Sequence, residues 1–143
     1  MLTVNAKVHI NSTAKILQDK GLDENGDVVR HLRDTVDRYS DPYVPMDSGT
    51  LKNTKQYPNN YTIKYISPYA HYMYKGELML SPSGSSWAKL GEKKHYAGKR
   101  LSFRGSPKRG ANWDRRMMQD RGQEVVQDLQ NYIRGKKWQS LKR

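Results

Sequence analysis

The sequence contains no cysteine. This absence excludes a disulfide framework and a cysteine-ligated zinc site, and it suits assembly in a reducing cytoplasm. No apolar run approaches the roughly 20 residues that are needed to cross a bilayer. The first residues, MLTVNAKVHI, lack the basic start and the apolar block of a signal peptide. We therefore expect a soluble intracellular protein that has no contact with a membrane.

Large apolar residues are also scarce. Hydrophobic residues make up 35% of the chain and the mean hydropathy is −0.99, so the core must be thin. Phenylalanine occurs once, whereas ten of the aromatic residues are tyrosine. Tyrosine suits half-buried surfaces, where its ring packs and its hydroxyl meets water or a partner. A small protein of this composition often completes its burial by forming oligomers.

Acidic residues are scarce in the C-terminal part of the chain, and the net charge is +12. Residues 1–88 carry ten basic and nine acidic side chains, whereas residues 89–143 carry sixteen basic and five acidic ones. A positive field that is so concentrated implies that a polyanion or an acidic protein face lies nearby. The alternative interpretation is a solvated face that keeps the protein soluble.

Hydrophobic periodicity predicts the first elements. Strict alternation over residues 2–10 predicts a half-buried strand, and the polar residues after it can cap a short helix that ends at Lys20. Apolar residues at spacings of three and four predict an amphipathic helix over residues 23–39. Alternation resumes over residues 61–67, and a short helix is predicted over residues 69–74.

The second half of the chain is expected to be more open. Residues 81–98 are rich in serine, glycine and lysine and are predicted to form an exposed, mobile loop. A short strand over residues 99–104 and a long helix over residues 112–134 follow, and the basic tail 135–143 is expected to be flexible. Together, residues 1–143 predict one α+β domain, in which a small, mainly antiparallel β-sheet packs against two longer helices, with long exposed loops.

No catalytic motif is present in the sequence. It has no HExxH, P-loop, GxSxG or GxGxxG pattern. The acidic residues have ordinary roles, at the first turn of a helix or on a solvated helix face beside arginines. We therefore expect no enzyme, no metal and no cofactor, and a divalent-metal nuclease is a third, weaker interpretation. The four histidines lie in different predicted elements without metal-ligand spacing: His9, His31, His71 and His95.

Basic residues surround Tyr96 and Phe103 in the C-terminal half. Cations interleaved with aromatic rings can hold single-stranded nucleic acid through phosphate contacts and stacking. The chain lacks the signatures of an RRM, a KH domain or a zinc finger, so the pattern indicates a surface that faces a polyanion without reading sequence. A small basic nucleic-acid-binding protein that acts outside an oligomeric ring is the alternative function. The candidate contact residues are Lys93, Lys94, Lys99, Arg100, Arg104, Lys108 and Arg109.

Two segments carry a resemblance to a known family. Residues 44–52 read VPMDSGTLK and precede the first central strand, whereas residues 68–76 read PYAHYMYKG and follow it. The order of these segments, together with a last helix opened by NWDRR, resembles the minor capsid proteins of siphophages and the wider head–tail joining (neck) family of tailed bacteriophages. Wider members often carry E-x-G-T after the PYA segment, where this chain has Lys75-Gly76-Glu77-Leu78. The level in the neck and the number of subunits therefore stay open.

The resemblance implies a structural virion protein that is assembled in the host cytoplasm. It would form a homo-oligomeric ring, sixfold or twelvefold, that connects the DNA-filled head to the tail. Its partners would be further copies of itself, the stopper or adaptor proteins, and the tail terminator or tail tube. The basic residues would face either DNA in the channel, without sequence specificity, or an acidic neighbouring ring. Our candidate subunit-interface residues are Tyr69, Tyr72, Tyr74, Trp87, Tyr96 and Trp138.

Overall fold

The structure is a computed structural model that describes residues 2–3, 12–46 and 50–141, without the side chains of residues 50 and 138–141. The helices are α1 (Thr13–Asp19), α2 (Asp27–Ser40), α3 (Thr50–Asn53), α4 (Ala70–Lys75) and α5 (Trp113–Leu141). The strands are β1 (Lys55–Asn59), β2 (Thr62–Tyr65), β3 (Glu77–Leu80) and β4 (His95–Arg100). A short 3-10 helix, Asp41–Tyr43, extends α2.

The fold is α+β, as predicted, but the strands form two separate hairpins. β1 pairs with β2 and β3 pairs with β4, both antiparallel, and each sheet has two strands. A two-stranded hairpin is only marginally stable in water, so each hairpin needs support from the rest of the molecule. α2 supplies that support for the first hairpin, and α4 packs against β3 of the second.

α2 and α5 pack against each other in opposite directions. Near the start of α2, Asp27 pairs with Lys136 of α5 at 2.6 Å. Just past the end of α2, the Tyr43 hydroxyl donates to the carboxylate of Asp120 at 3.0 Å. Because early residues of one helix meet late residues of the other, the pair is antiparallel, and the end of α2 lies beside the first turns of α5.

The middle of this helix pair is joined at one carboxylate. Asp128 of α5 lies 2.6 Å from Nε2 of His31 and accepts hydrogen bonds from Thr35 at 3.2 Å and Arg38 at 3.0 Å. The His31 ring also stacks on Tyr132 with centroids 4.0 Å apart. These three donors lower the pKa of Asp128, and the hydrogen bond from His31 contributes most.

The apolar core lies at the end of the helix pair where α2 ends and α5 begins. It consists of Tyr43, Val44, Leu51, Trp113, Met117 and Val125. The indole of Trp113 meets the ring of Tyr65 edge-on at 5.2 Å and the ring of Tyr74 at 5.0 Å. One tryptophan thereby connects β2, α4 and the start of α5.

The first hairpin is attached to α2 through a shared carboxylate. Lys55 of β1 pairs with Asp37 at 2.7 Å, and the Tyr57 hydroxyl donates to the same side chain. Because Asp37 accepts this hydrogen bond, the pKa of Tyr57 is raised to about 12. β1 is polar, with the sequence KQYPN, and hydrophobic periodicity did not predict it.

Several predicted elements are found close to their expected positions. The helix predicted over residues 23–39 is α2, the helix over 69–74 is α4, and the strand over 61–67 contains β2. Ser12 caps α1 by accepting a hydrogen bond from the amide of Lys15. The predicted strand over residues 2–10 lies almost wholly outside the described residues.

Two expectations for the C-terminal half are wrong. The long helix does not end at Gly135 but continues to Leu141, so the backbone of residues 135–141 is helical. Directly after the glycine, Lys136 pairs with Asp27 at 2.6 Å, which favours this continuation. The strand predicted over residues 99–104 is instead β4, which begins at His95 and so takes the end of the predicted loop 81–98.

The core makes a specific stability prediction. Met117 is fully buried, whereas its neighbour Met118 is 45% exposed on the same helix. We expect Met117→Ala to lower the free energy of unfolding by about 2–5 kcal/mol, because it leaves a cavity in a thin core. Met118→Ala is the matched control and should change it by less than about 1 kcal/mol. Urea unfolding measures both, and equal effects would contradict the assignment of the core.

The Asp128 cluster makes a prediction about acid stability. A carboxylate whose pKa is lowered by folding stabilises the folded state above its unfolded pKa of about 4, and this contribution is lost as the pH falls through the folded pKa. Asp128→Asn should therefore lower the urea midpoint at pH 7 and make its decline below about pH 5 shallower. Glu24→Gln, which removes an exposed carboxylate before α2, is the control. An unchanged acid slope in Asp128→Asn would refute the assignment.

Candidate functional site

The second hairpin and its connection form an arm, which we define as β3, residues 81–94 and β4. In the strand register, Glu77 lies opposite Arg100 where the arm begins, and Leu80 lies opposite His95 at the other end of the hairpin. Two backbone hydrogen bonds join the segments that precede and follow the arm. Leu101 N donates to the Gly76 carbonyl at 2.8 Å, and Asn112 N donates to the Tyr74 carbonyl at 3.0 Å.

Gly76 sets the direction in which the arm leaves α4. Its φ of +70° closes the helix in the left-handed conformation, and its amide donates to the Tyr72 carbonyl. A Cβ at this position would lie 2.6 Å from the Cβ of Ala111. Both the backbone conformation and the close approach therefore require glycine here.

The residues that connect the two strands are mostly exposed but make local hydrogen bonds. Ser81 is buried, and its amide donates to the Ser85 carbonyl at 2.8 Å while its Oγ accepts a hydrogen bond from the Ser85 amide at 3.2 Å, which closes a tight turn. Beyond this turn, the side chain of Trp87 is 86% exposed, and Leu90 is fully exposed. Large apolar side chains that project from an arm in this way are typical of surfaces that another molecule covers.

The predicted basic residues have different environments. Lys94 donates to the carbonyl of Ser86, and Lys108 lies over the ring of Tyr43. Arg109 is part of the fold, because its NH1 donates to the backbone carbonyls of Asp41 and Val44. The other four predicted cations are exposed and, like Lys94 and Lys108, form no ion pair with any described residue: Lys93, Lys99, Arg100 and Arg104.

The predicted aromatic residues are also divided. Tyr69 is 65% exposed and Tyr72 is 37% exposed, on the outer side of α4. Tyr74 packs on Trp113 inside the molecule, and its hydroxyl donates to Asp114. The ring of Tyr96 lies beneath the Lys75 ammonium at 4.5 Å. The backbone of Trp138 lies in α5, and its side chain is outside the described part of the structure.

A cleft of about 330 Å³ opens at the base of the arm. It lies where the end of α4, the arm, residues 101–112 and the first turns of α5 meet. We call it the basic cleft, because four cations line it and only one carboxylate does. The cations are Lys75, Arg100, Arg109 and Arg116, and the carboxylate is Glu77.

Arg116 organises the loop that forms one wall of the basic cleft. Its Nε donates to the Ala111 carbonyl at 2.8 Å. Its NH1 donates to the carbonyls of Pro107 and Lys108 at 2.7 and 2.8 Å. Its NH2 is buried, and no described protein group accepts a hydrogen bond from it. An unsatisfied buried donor costs about 1–3 kcal/mol, and more when it is charged.

Sequence reasoning missed the two cations that complete this cleft. Lys75 is part of the tyrosine-rich motif of residues 68–76, and Arg116 is part of the long helix, so neither stands out in the sequence as a basic site. A useful signal was available for Arg116, since Arg115 and Arg116 follow Trp113 at the start of the helix. Cations at a helix start are opposed by the helix dipole and often have a specific partner.

An apolar groove of about 220 Å³ lies beside the basic cleft, and Glu77 and Leu101 line both. The groove is also lined by Tyr69, by Tyr72 and Met73 of α4, and by Leu78 of the arm. The exposed Trp87 lies next to this groove, because it lines a pocket with Tyr69 and Lys94, which line the groove as well. The arm thus carries a projecting aromatic side chain and an apolar groove, in addition to its cations.

The described residues contain neither a candidate metal site nor a helix that could span a membrane. Across residues 2–3, 12–46 and 50–141, no three His, Cys, Asp or Glu side chains lie in an arrangement that could hold a metal ion. Within the same ranges, no helix combines the length and apolar character that crossing a membrane requires.

Comparison with known proteins gives no relative. No protein family, curated protein or solved structure matches this chain.

The role of Gly76 can be tested against a second glycine with nearly the same conformation. Gly98 has φ +69° but open space around it, whereas Gly76 also faces Ala111. Gly98→Ala should lower the free energy of unfolding by about 1–2 kcal/mol, through backbone strain alone. Gly76→Ala should lower it by about 1–3 kcal/mol more, because the new methyl group overlaps Ala111. Equal losses in urea unfolding would contradict this account of the arm base.

Proposed function

We propose that this protein is a structural subunit of the neck of a tailed bacteriophage. In this proposal, copies of the chain assemble into a homo-oligomeric ring between the DNA-filled head and the tail. The ring contacts a stopper or adaptor protein on one side and the tail terminator or tube on the other. The protein acts by binding and joining, with no catalytic role. The exposed Trp87 on the arm, together with the groove at the arm base, is the observation that carries the proposal.

The positions of the two motif segments support this function. Val44 and Pro45, from the first segment, are buried at the junction of α2 and α5, and Leu51 is buried beside them. The second segment, residues 68–76, forms α4 and ends at the glycine that directs the arm. The segments that suggest the neck family thus contribute to the core and form the helix that leads into the arm.

The surface of the arm suggests how a ring could close. Each subunit offers an exposed Trp87 and, next to it, an apolar groove lined by Tyr69 and Leu78. If the tryptophan of one copy enters the groove of the next, the contact is head-to-tail. Contacts of this kind generate closed rings when the rotation between subunits closes. A second copy is therefore the occupant that we propose for the groove.

This proposal predicts a specific effect on assembly. The purified protein should have the mass of a closed oligomer, and Trp87→Ser should shift it to the monomer without unfolding it, since an 86% exposed side chain contributes little to the fold. Tyr61→Ser is the matched control, because Tyr61 is 57% exposed but belongs to the other hairpin. Light scattering gives the mass, and circular dichroism reports folding. A monomeric wild-type protein, or equal effects of the two variants, would refute the proposed contact.

In a phage, deletion of the coding sequence should leave filled heads and complete tails that do not join. Electron microscopy of the lysate tests this expectation directly. Normal joining in its absence would exclude a neck role.

The second candidate is a small basic nucleic-acid-binding protein that acts outside a ring. The observation that favours it is the set of exposed cations along the arm and just after it that form no ion pair with any described residue, including Lys99, Arg100 and Arg104. Tight, salt-dependent DNA binding by a protein that stays monomeric would select this function over the neck.

A further inference from the structure

Arg109 and Arg116 support the fold, but Arg100 of the basic cleft forms no ion pair with any described residue. We infer that the basic cleft binds one phosphate group of a nucleic-acid backbone. Lys75, whose ammonium lies over the ring of Tyr96, lines it at the end of α4, Arg100 at the end of β4, and Arg116 at the start of α5. A single anion in the cleft would therefore meet cations from three separate elements.

The basic cleft presents an excess of cations at a concave surface. Glu77 is the one carboxylate among the residues that line the cleft, and it forms no ion pair with any described residue. The Arg100 side chain is likewise exposed and unpaired within the described part of the chain. Clefts lined by one sign of charge concentrate counter-ions, because the low-dielectric walls focus the field.

The geometry of Arg116 provides a second, independent argument. Three of its five N–H groups hold the wall of the cleft in place, and the NH2 group has no protein acceptor. A Cβ added to Gly110 would lie 3.4 Å from this NH2 and 3.4 Å from the ring of Phe103. The absence of a side chain at Gly110 therefore leaves space beside the unpartnered donors, where a small shift of the loop would admit an anion oxygen.

A nucleic-acid phosphate fits the surroundings better than a protein carboxylate. Phosphate has oxygens that point in several directions, which suits cations that approach from three elements. Further exposed cations, Lys93, Lys99 and Arg104, lie along the arm and beyond it, as contacts to successive phosphates require. An acidic protein segment offers neither a regular spacing of charge nor a tetrahedral group.

This inference deepens the proposed function, because it names what the base of the arm contacts within the neck. It rests on that function for its biological setting only. Phosphate binding is measured on the monomeric Trp87→Ser protein, whereas ring assembly is measured by mass. Either claim can therefore fail while the other survives.

The first experiment titrates the protein with inorganic phosphate and follows the arginine Nε–H signals by NMR. Saturable shifts should appear at Arg116 and Arg100. Arg100→Gln should weaken binding roughly tenfold, as expected for the loss of one charge-assisted contact. Gly110→Ala should weaken it as well, by filling the space beside the Arg116 NH2, and it alters no charge. Arg134→Gln, which removes the same charge near the other end of α5, is the control and should have no effect.

The second experiment measures binding of a short labelled DNA duplex across a range of salt concentrations. Arg100→Gln should weaken DNA binding and reduce the slope of log K against log salt by about 1. Gly110→Ala should also weaken DNA binding. Binding of inorganic phosphate with no effect of these variants on DNA would overturn the nucleic-acid assignment in favour of a free anion. Stronger competition by poly-glutamate than by DNA would overturn it in favour of an acidic protein. No phosphate-induced shift, or equal losses in Arg134→Gln, would refute the site itself.

Discussion

The antiparallel pairing of α2 and α5 is the constraint on which the rest of the described structure depends. One carboxylate, Asp128, joins the middle of the pair, and Trp113 and Met117 bury its other end. That buried end holds the 3-10 helix after α2 against the first turns of α5. Neither hairpin is large enough to be stable alone, so each is held by this helix pair or by the loops around it.

Much of the helical part could be predicted from the sequence, because the signals there are local. α2 has a clear apolar periodicity, and α4 ends at a glycine that the sequence marks plainly. The failures arise from long-range contacts. α5 continues past Gly135 because Lys136 meets Asp27, which is 109 residues away in the chain. β1 is polar and is held by Asp37, so its alternation carries no apolar signal.

Only part of the candidate site was predicted, again because long-range contacts are not visible in the sequence. A count of charges located the basic segment, but it could not separate cations that support the fold from cations that are available to a partner. Arg109 binds backbone carbonyls of the core, whereas Arg100 is exposed. Tyr74 likewise packs on Trp113, whereas Trp87 projects from the arm. The basic cleft combines residues from three elements, so it exists only after folding, and its role as a phosphate site belongs to the proposal.

The central claim is that Trp87 of the arm contacts a second copy of the chain. A photoreactive benzoylphenylalanine placed at position 87 tests it most directly. On irradiation of the purified protein, the account predicts cross-links between copies, with the attached peptide containing α4 or β3 of the neighbouring subunit. Cross-links confined to one chain, or cross-links between copies that never involve those elements, would contradict it.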